Sequence, residues 1–183
     1  MGILPLSESE KTGLAFEMEV FGIASSGLRP WSSYMPFGLA LQDAYNHQPA
    51  HWDPTTPTTR IGRKMYEAVA RHLPEEVRPM LRFYVAVGRS LDECHSIDGF
   101  FIVDGWRKSF VGIDLVAHRR KNRTCKFNRN GILIFPRHHV IGKSEAEIEQ
   151  TFDEVGKLIA EKLLTRRRRQ GTRNQFVAYT ARK

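Results

Sequence analysis

LDECHSIDGFFIVDGWRKSFVGIDLVAHRRK, residues 91–121, is the stretch on which the reading of the fold turns. It holds two short apolar runs, 97–103 and 110–116, each of strand length. Each run is interrupted by one acid, Asp98 in the first and Asp114 in the second. Between them stands Asp104-Gly105, a dipeptide typical of tight hairpin turns, so the runs read as paired strands. Burying even a neutral polar group without a partner costs ~2–7 kcal/mol, and a carboxylate costs more. Two such acids on neighbouring strands, followed at once by a basic segment, require a compensating cation.

The hairpin register constrains how the acids relate. A strict two-residue turn at Asp104-Gly105 pairs residues whose numbers total 209, and directly opposed residues share a face. The numbers 98 and 114 total 212, so a tight turn would send the two side chains to opposite faces. A site shared by both aspartates therefore demands a three-residue loop or a bulge.

Outward from the hairpin, Ser7 and Glu10 form a capping-box pattern, with a helix expected to about Ser26 and a stop at Gly27. Leu14, Met18, Val20 and Phe21 make its apolar stripe, and Glu17 and Glu19 lie on it. Residues 28–60 are rich in Pro, Gly, Ser and Thr, with a short helix over 37–45 and a loop across Pro49, Pro54 and Pro57. Pro49 keeps His47 and His51 off a common helix face, which argues against a metal site there. A helix is expected over 61–73, with His72 on its apolar side, then another turn of helix within 75–81 and a strand over 82–88. Beyond the basic segment, 131–135 reads as a buried strand ended by Pro136. Ser144 and Glu147 form a second capping box, and Ile148, Phe152, Val155, Ile159 and Leu163 then step along one helical face. The pattern is an α/β domain over residues 1–165: a central mixed sheet with a long hairpin, flanked by helices. Residues 166–183 form a basic arm, with an edge strand at 175–179.

The chain has 183 residues, of which 41% are hydrophobic, enough for one substantial core. Cys94 and Cys125 make no disulfide framework. The N-terminus lacks the basic region and apolar length of a signal peptide, and Leu6 departs from the myristoylation pattern. No run has the ~18 apolar residues of a membrane span, so a cytoplasmic protein is expected. The net charge of +8 is concentrated. Residues 117–130 carry six basic and no acidic residues, and residues 166–183 carry seven and none. Such placement suits a partner with a charged backbone. The expected contacts are Arg119, Arg120, Arg123, Lys126 and Arg129, with Phe127 among them, and then Arg166, Arg167, Arg168 and Arg169. His138, His139, Cys94, His95 and Cys125 show no zinc-finger spacing.

Paired carboxylates are how proteins hold Mg²⁺, which takes hard oxygen ligands and keeps waters that a phosphate can displace. The ion polarises a phosphoryl oxygen and activates water, and a nearby lysine offsets charge on phosphorus. The string HSIDGFFIVDG followed by FVGIDL, in the order helix, acid-bearing strand, hairpin, acid-bearing strand, strand, helix, resembles the PD-(D/E)XK nuclease superfamily. The resemblance covers roughly residues 82–165, with 7–26 as the leading helix. It implies a restriction-endonuclease-like core, with Asp98 and Asp114 as ligands of Mg²⁺ or Mn²⁺. It also implies a helix glutamate, Glu17 or Glu19. The family lysine belongs two residues after the second acid, where this chain has Val116. Lys121 or Arg120 is the substitute. The implied function is Mg²⁺-dependent endonucleolytic cleavage of DNA, with Asp98, Asp114, Lys121 and Glu17 as catalytic residues. The alternative is a catalytically inactive nucleic-acid-binding or assembly subunit on the same fold. A larger nucleoprotein complex or a homodimer is a further expected partner, and a membrane is not.

Overall fold

The computed structural model describes residues 8–24, 34–106, 109–116 and 125–180, and the side chains of those lying between 13 and 165. The elements are α1 (Glu8–Phe21), α2 (Phe37–Asn46), α3 (Arg60–Arg71), β1 (Leu81–Val85), α4 (Ser90–His95), β2 (Gly99–Val103), β3 (Phe110–Val116), β4 (Lys126–Phe127), β5 (Leu133–Pro136) and α5 (Glu145–Thr180). The strands form one sheet in the order β1-β2-β3-β5-β4. β2 is antiparallel to β1 and β3, β5 runs parallel to β3, and β4 is antiparallel to β5. The α/β architecture, with a mixed sheet flanked by helices, is therefore as the sequence indicates.

Strand side chains alternate between faces, and both faces are covered. Phe101, Val111, Ile113, Leu115, Leu133 and Phe135 pack with Phe16 and Val20 of α1, Met65 and Val69 of α3, and Phe152 and Ile159 of α5. Tyr84 and Phe100 point the other way, against Ala40 and Ala44 of α2 and Leu91 of α4. α5 carries its expected stripe, with Ile148, Phe152, Val155, Ile159 and Leu163 all buried. Its capping box is reciprocal: the Ser144 N–H donates to Glu147 Oε2 at 2.9 Å, and the Glu147 N–H to Ser144 Oγ at 3.3 Å. Gly156 lets α5 cross α3 closely, because a Cβ there would lie 2.6 Å from the Ala68 carbonyl carbon.

The free edge of β1 is sealed by the Pro-rich loop. Gln48 pairs with both backbone groups of Val85, at 2.9 and 2.7 Å. The Phe83 N–H donates to the Pro54 carbonyl, and Trp52 Nε1 donates to the Phe83 carbonyl at 3.1 Å. The edge thus offers few open groups for pairing with another chain.

Several expectations change. α1 stops at Gly22 (φ +80°), whose N–H closes on the Met18 carbonyl, not at Gly27. Met18 is 42% exposed and Phe16 takes the buried position instead. β1 ends at Val85, short of the expected Gly88, and residues 90–95 form a helix the sequence did not reveal. His72 hydrogen-bonds Asp153 at 2.9 Å instead of packing in the core. Residues 175–179 lie within α5, so the edge strand expected there is absent: the helix carries straight on past the basic run. The hairpin is closed neither by a two-residue turn nor by the three-residue loop expected for a shared site. Its last pair is Ile102 with Phe110, and the loop spans 104–109, held where Ser109 Oγ accepts from the Val103 N–H and donates to the Val103 carbonyl, each at 2.9 Å. No helix among the described residues is long and apolar enough to cross a membrane.

Candidate metal centre

The long loop gives the hairpin the even register, Gly99 opposite Ile113 and Phe100 opposite Gly112, that a shared site requires. At the β2 entrance the ladder also steps: the Asp98 N–H donates to the Ile113 carbonyl at 2.8 Å, so Asp98 and Gly99 face one partner residue. The Asp98 carbonyl accepts from Ala86, and its carboxylate Oδ2 accepts from the Leu115 N–H at 2.5 Å. Asp98 is 3% exposed and is held by backbone on both neighbouring strands.

Asp92 comes from α4. Its Oδ2 accepts from the Gly88 N–H at 2.9 Å, which is possible because Gly88 takes φ +77° in the turn leaving β1. α4 is pinned to α2: buried Arg89 donates to both oxygens of Asp43 at 3.2 and 2.8 Å, and His95 Nε2 meets the Met35 carbonyl at 2.9 Å. Glu17 arrives on α1, part-buried beside buried Phe16. One oxygen each from Glu17, Asp92 and Asp98 lies within 4.8 Å of the other two. Oxygens on one cation with bonds of ~2.0–2.6 Å are at most about 5 Å apart, so the spacing suits a single ion.

The electrostatics show what the site lacks. Burial, then the charges of Asp92 and Asp114, raise the Glu17 carboxyl to about 7. Burial likewise raises Asp92. Asp98 is raised well above the carboxylate range by burial and by the charges of Asp92, Glu17 and Asp114, against the opposing Leu115 hydrogen bond. Asp92 and Asp98 are close enough to shift one another's carboxyl, so the group is crowded with acid. Among the described residues, no lysine or arginine contributes to the shift of any of the three.

Of the sequence-derived residues, Asp98 and Glu17 come together. Asp114 acts electrostatically on both but stands outside the three-oxygen group, while Glu19 is exposed. Asp92 was missed; its only signal was a second acid six residues before Asp98, on a segment too short to show helical periodicity. Lys121, Arg119, Arg120 and Arg123 lie outside the described residues, as do the side chains of Arg166, Arg167, Arg168 and Arg169. Lys126 and Arg129 are exposed on β4 and the turn after it. His138 and His139 stack on each other with ring centroids 4.4 Å apart. A separate groove of about 400 Å³ between α2 and β2, lined by Leu41, Tyr45, Phe100 and Ile102 among others, has no charged side chain.

No family model matches the chain, and no curated protein or solved structure matches it.

Proposed function

We propose that this protein is a divalent-metal-dependent phosphodiesterase that cleaves DNA endonucleolytically, on a restriction-endonuclease-like core. The observation that carries the reading is the convergence of Glu17, Asp92 and Asp98 from three separate elements within 4.8 Å, each carboxyl raised by burial. An all-carboxylate donor set with room for water suits Mg²⁺ or Mn²⁺. When bound, the ion supplies Lewis acidity toward a phosphoryl oxygen and lowers the pKa of a bound water. Asp98 and Asp92 would hold the ion from fixed backbone positions, and Glu17, whose carboxyl burial raises to about 7 in the metal-free protein, would supply the third oxygen. Asp114, one strand over, adds negative charge to the same site. α1 with its glutamate, the antiparallel run β1–β3, parallel β5 and α5 follow the order of the PD-(D/E)XK nucleases. The basic segment 117–130 follows β3 directly in sequence, and its charge suits a DNA backbone.

Val116 favours a second reading, a nucleic-acid-binding or assembly subunit without turnover. It stands in register with Pro136 and brings no amine to the site. The test is cleavage of plasmid and branched DNA with Mg²⁺ or Mn²⁺, comparing wild type with Asp98→Asn and Asp92→Asn. The first reading expects cutting that each substitution lowers by at least about 100-fold, the scale of losing catalytic charge stabilisation. Salt-sensitive binding with no metal-dependent cutting selects the second reading.

A further inference from the structure

Arg137 is a cation that the fold holds in place without using. It directly follows Pro136, which ends β5 in register with Val116 of β3. The C-terminal ends of β3 and β5 and the N-terminal end of β2, with Asp98, meet at one end of the sheet. The guanidinium lies 5.7 Å from the centroid of Phe16, the neighbour of Glu17 on α1. Its Nε is sealed from solvent and has no hydrogen-bond partner, while the residue as a whole is only half-buried. No ion pair ties it to any described residue, and it is absent from the charges that shift Glu17, Asp92 or Asp98. With Nε closed off by the fold, an external anion would meet the terminal amino groups of this half-buried guanidinium.

We propose that Arg137 binds a backbone phosphate of the nucleic acid next to the one at the metal centre, and so positions the strand across the sheet end. Pro136 is two residues beyond Ile134, the partner of Asp114, which puts Arg137 on the order of 10 Å along the strand from that level. This separation explains how Arg137 leaves the carboxylates unneutralised and still lies on the path of a polyanion that enters them. The assignment rests on the nucleic-acid reading above, and its test separates the two.

DNA binding by the full chain is measured in EDTA at several salt concentrations, with cleavage in Mg²⁺ measured alongside. The variants are Arg137→Met, which keeps a side chain against Phe16, Arg137→Lys, which keeps the charge, and Lys157→Gln, a control at an exposed site on α5. Arg137→Met is expected to weaken binding about tenfold and to reduce the slope of log affinity against log salt by ~0.9, the release of one phosphate contact. Arg137→Lys should keep the slope, and Lys157→Gln should match wild type. Binding by Arg137→Met with wild-type affinity and slope would overturn the proposal, as would an Arg137→Lys slope reduced as far as that of Arg137→Met. Loss of slope in Arg137→Met together with no Mg²⁺-dependent cleavage by wild type would uphold the phosphate contact and reject the hydrolase.

Discussion

Replacing Glu17 by Gln removes a charge that the fold holds at a loss. The Glu17 carboxyl rises from 4.5 to about 7, chiefly through burial and then through Asp92 and Asp114. The folded chain therefore binds this proton more tightly than the unfolded chain. Stability that is full below pH 4.5 is lost as pH rises to about 7. The rise from 4.5 to about 7 corresponds to ~3.4 kcal/mol at ~1.4 kcal/mol per tenfold change in proton affinity. Glu17 is only part-buried, and solvent screening brings this to roughly 1.5–2 kcal/mol. Gln has nearly the same shape and no charge at any pH. In EDTA at pH 8 the variant should be more stable than wild type by that amount, a rise in Tm of roughly 4–7 °C for a chain of this size. At pH 4.5 the difference should shrink to a few tenths of a kcal/mol, on the order set by the same linkage. Adding Mn²⁺ narrows the gap. A cation at 100 times its Kd stabilises wild type by about 2.7 kcal/mol, and a variant short of one ligand gains less. Calorimetric unfolding at both pH values, with EDTA or Mn²⁺, reads all of these. A variant no more stable than wild type at pH 8, or equally stabilised at both pH values, would refute the reasoning.

Two further substitutions test the frame around the site. Gly156→Ala forces a methyl group against the Ala68 backbone at 2.6–2.7 Å and should cost ~1–3 kcal/mol by parting α3 and α5, read as a lower urea midpoint. An unchanged midpoint would mean the crossing is not set by that contact. Asp43→Asn leaves the 5% exposed Arg89 without its ion pair and should cost about 3–5 kcal/mol. It should also weaken Mn²⁺ binding, because Asp92 rides on the helix that Arg89 begins. Calorimetric titration checks this, and unchanged metal affinity would detach α2 from the site.

How far the site was legible depended on how local its signals are. Asp98 and Asp114 stood out because an acid in an apolar strand is anomalous within its own few residues. Asp92 did not, because an acid in a short polar segment is ordinary until α4 is seen folded against the β2 entrance. The register argument correctly separated a tight turn from a shared face. It could not choose between them, since the choice lies in how Ser109 closes the loop on Val103.

The sequence by itself determined the α/β class, the stripe and cap of α5, and the apolar runs of β2 and β3. Helical and strand periods repeat within the chain, so burial of one face is written in neighbouring residues. Only the tertiary structure decided which carboxylates meet. Glu17, Asp92 and Asp98 lie on elements remote in sequence or too short for periodicity, and nothing along the chain encodes their distance. Their convergence follows from α1 packing at the open end of the sheet and from Arg89 fastening α4 to α2. The low-dielectric contact that results raises all three carboxyls together.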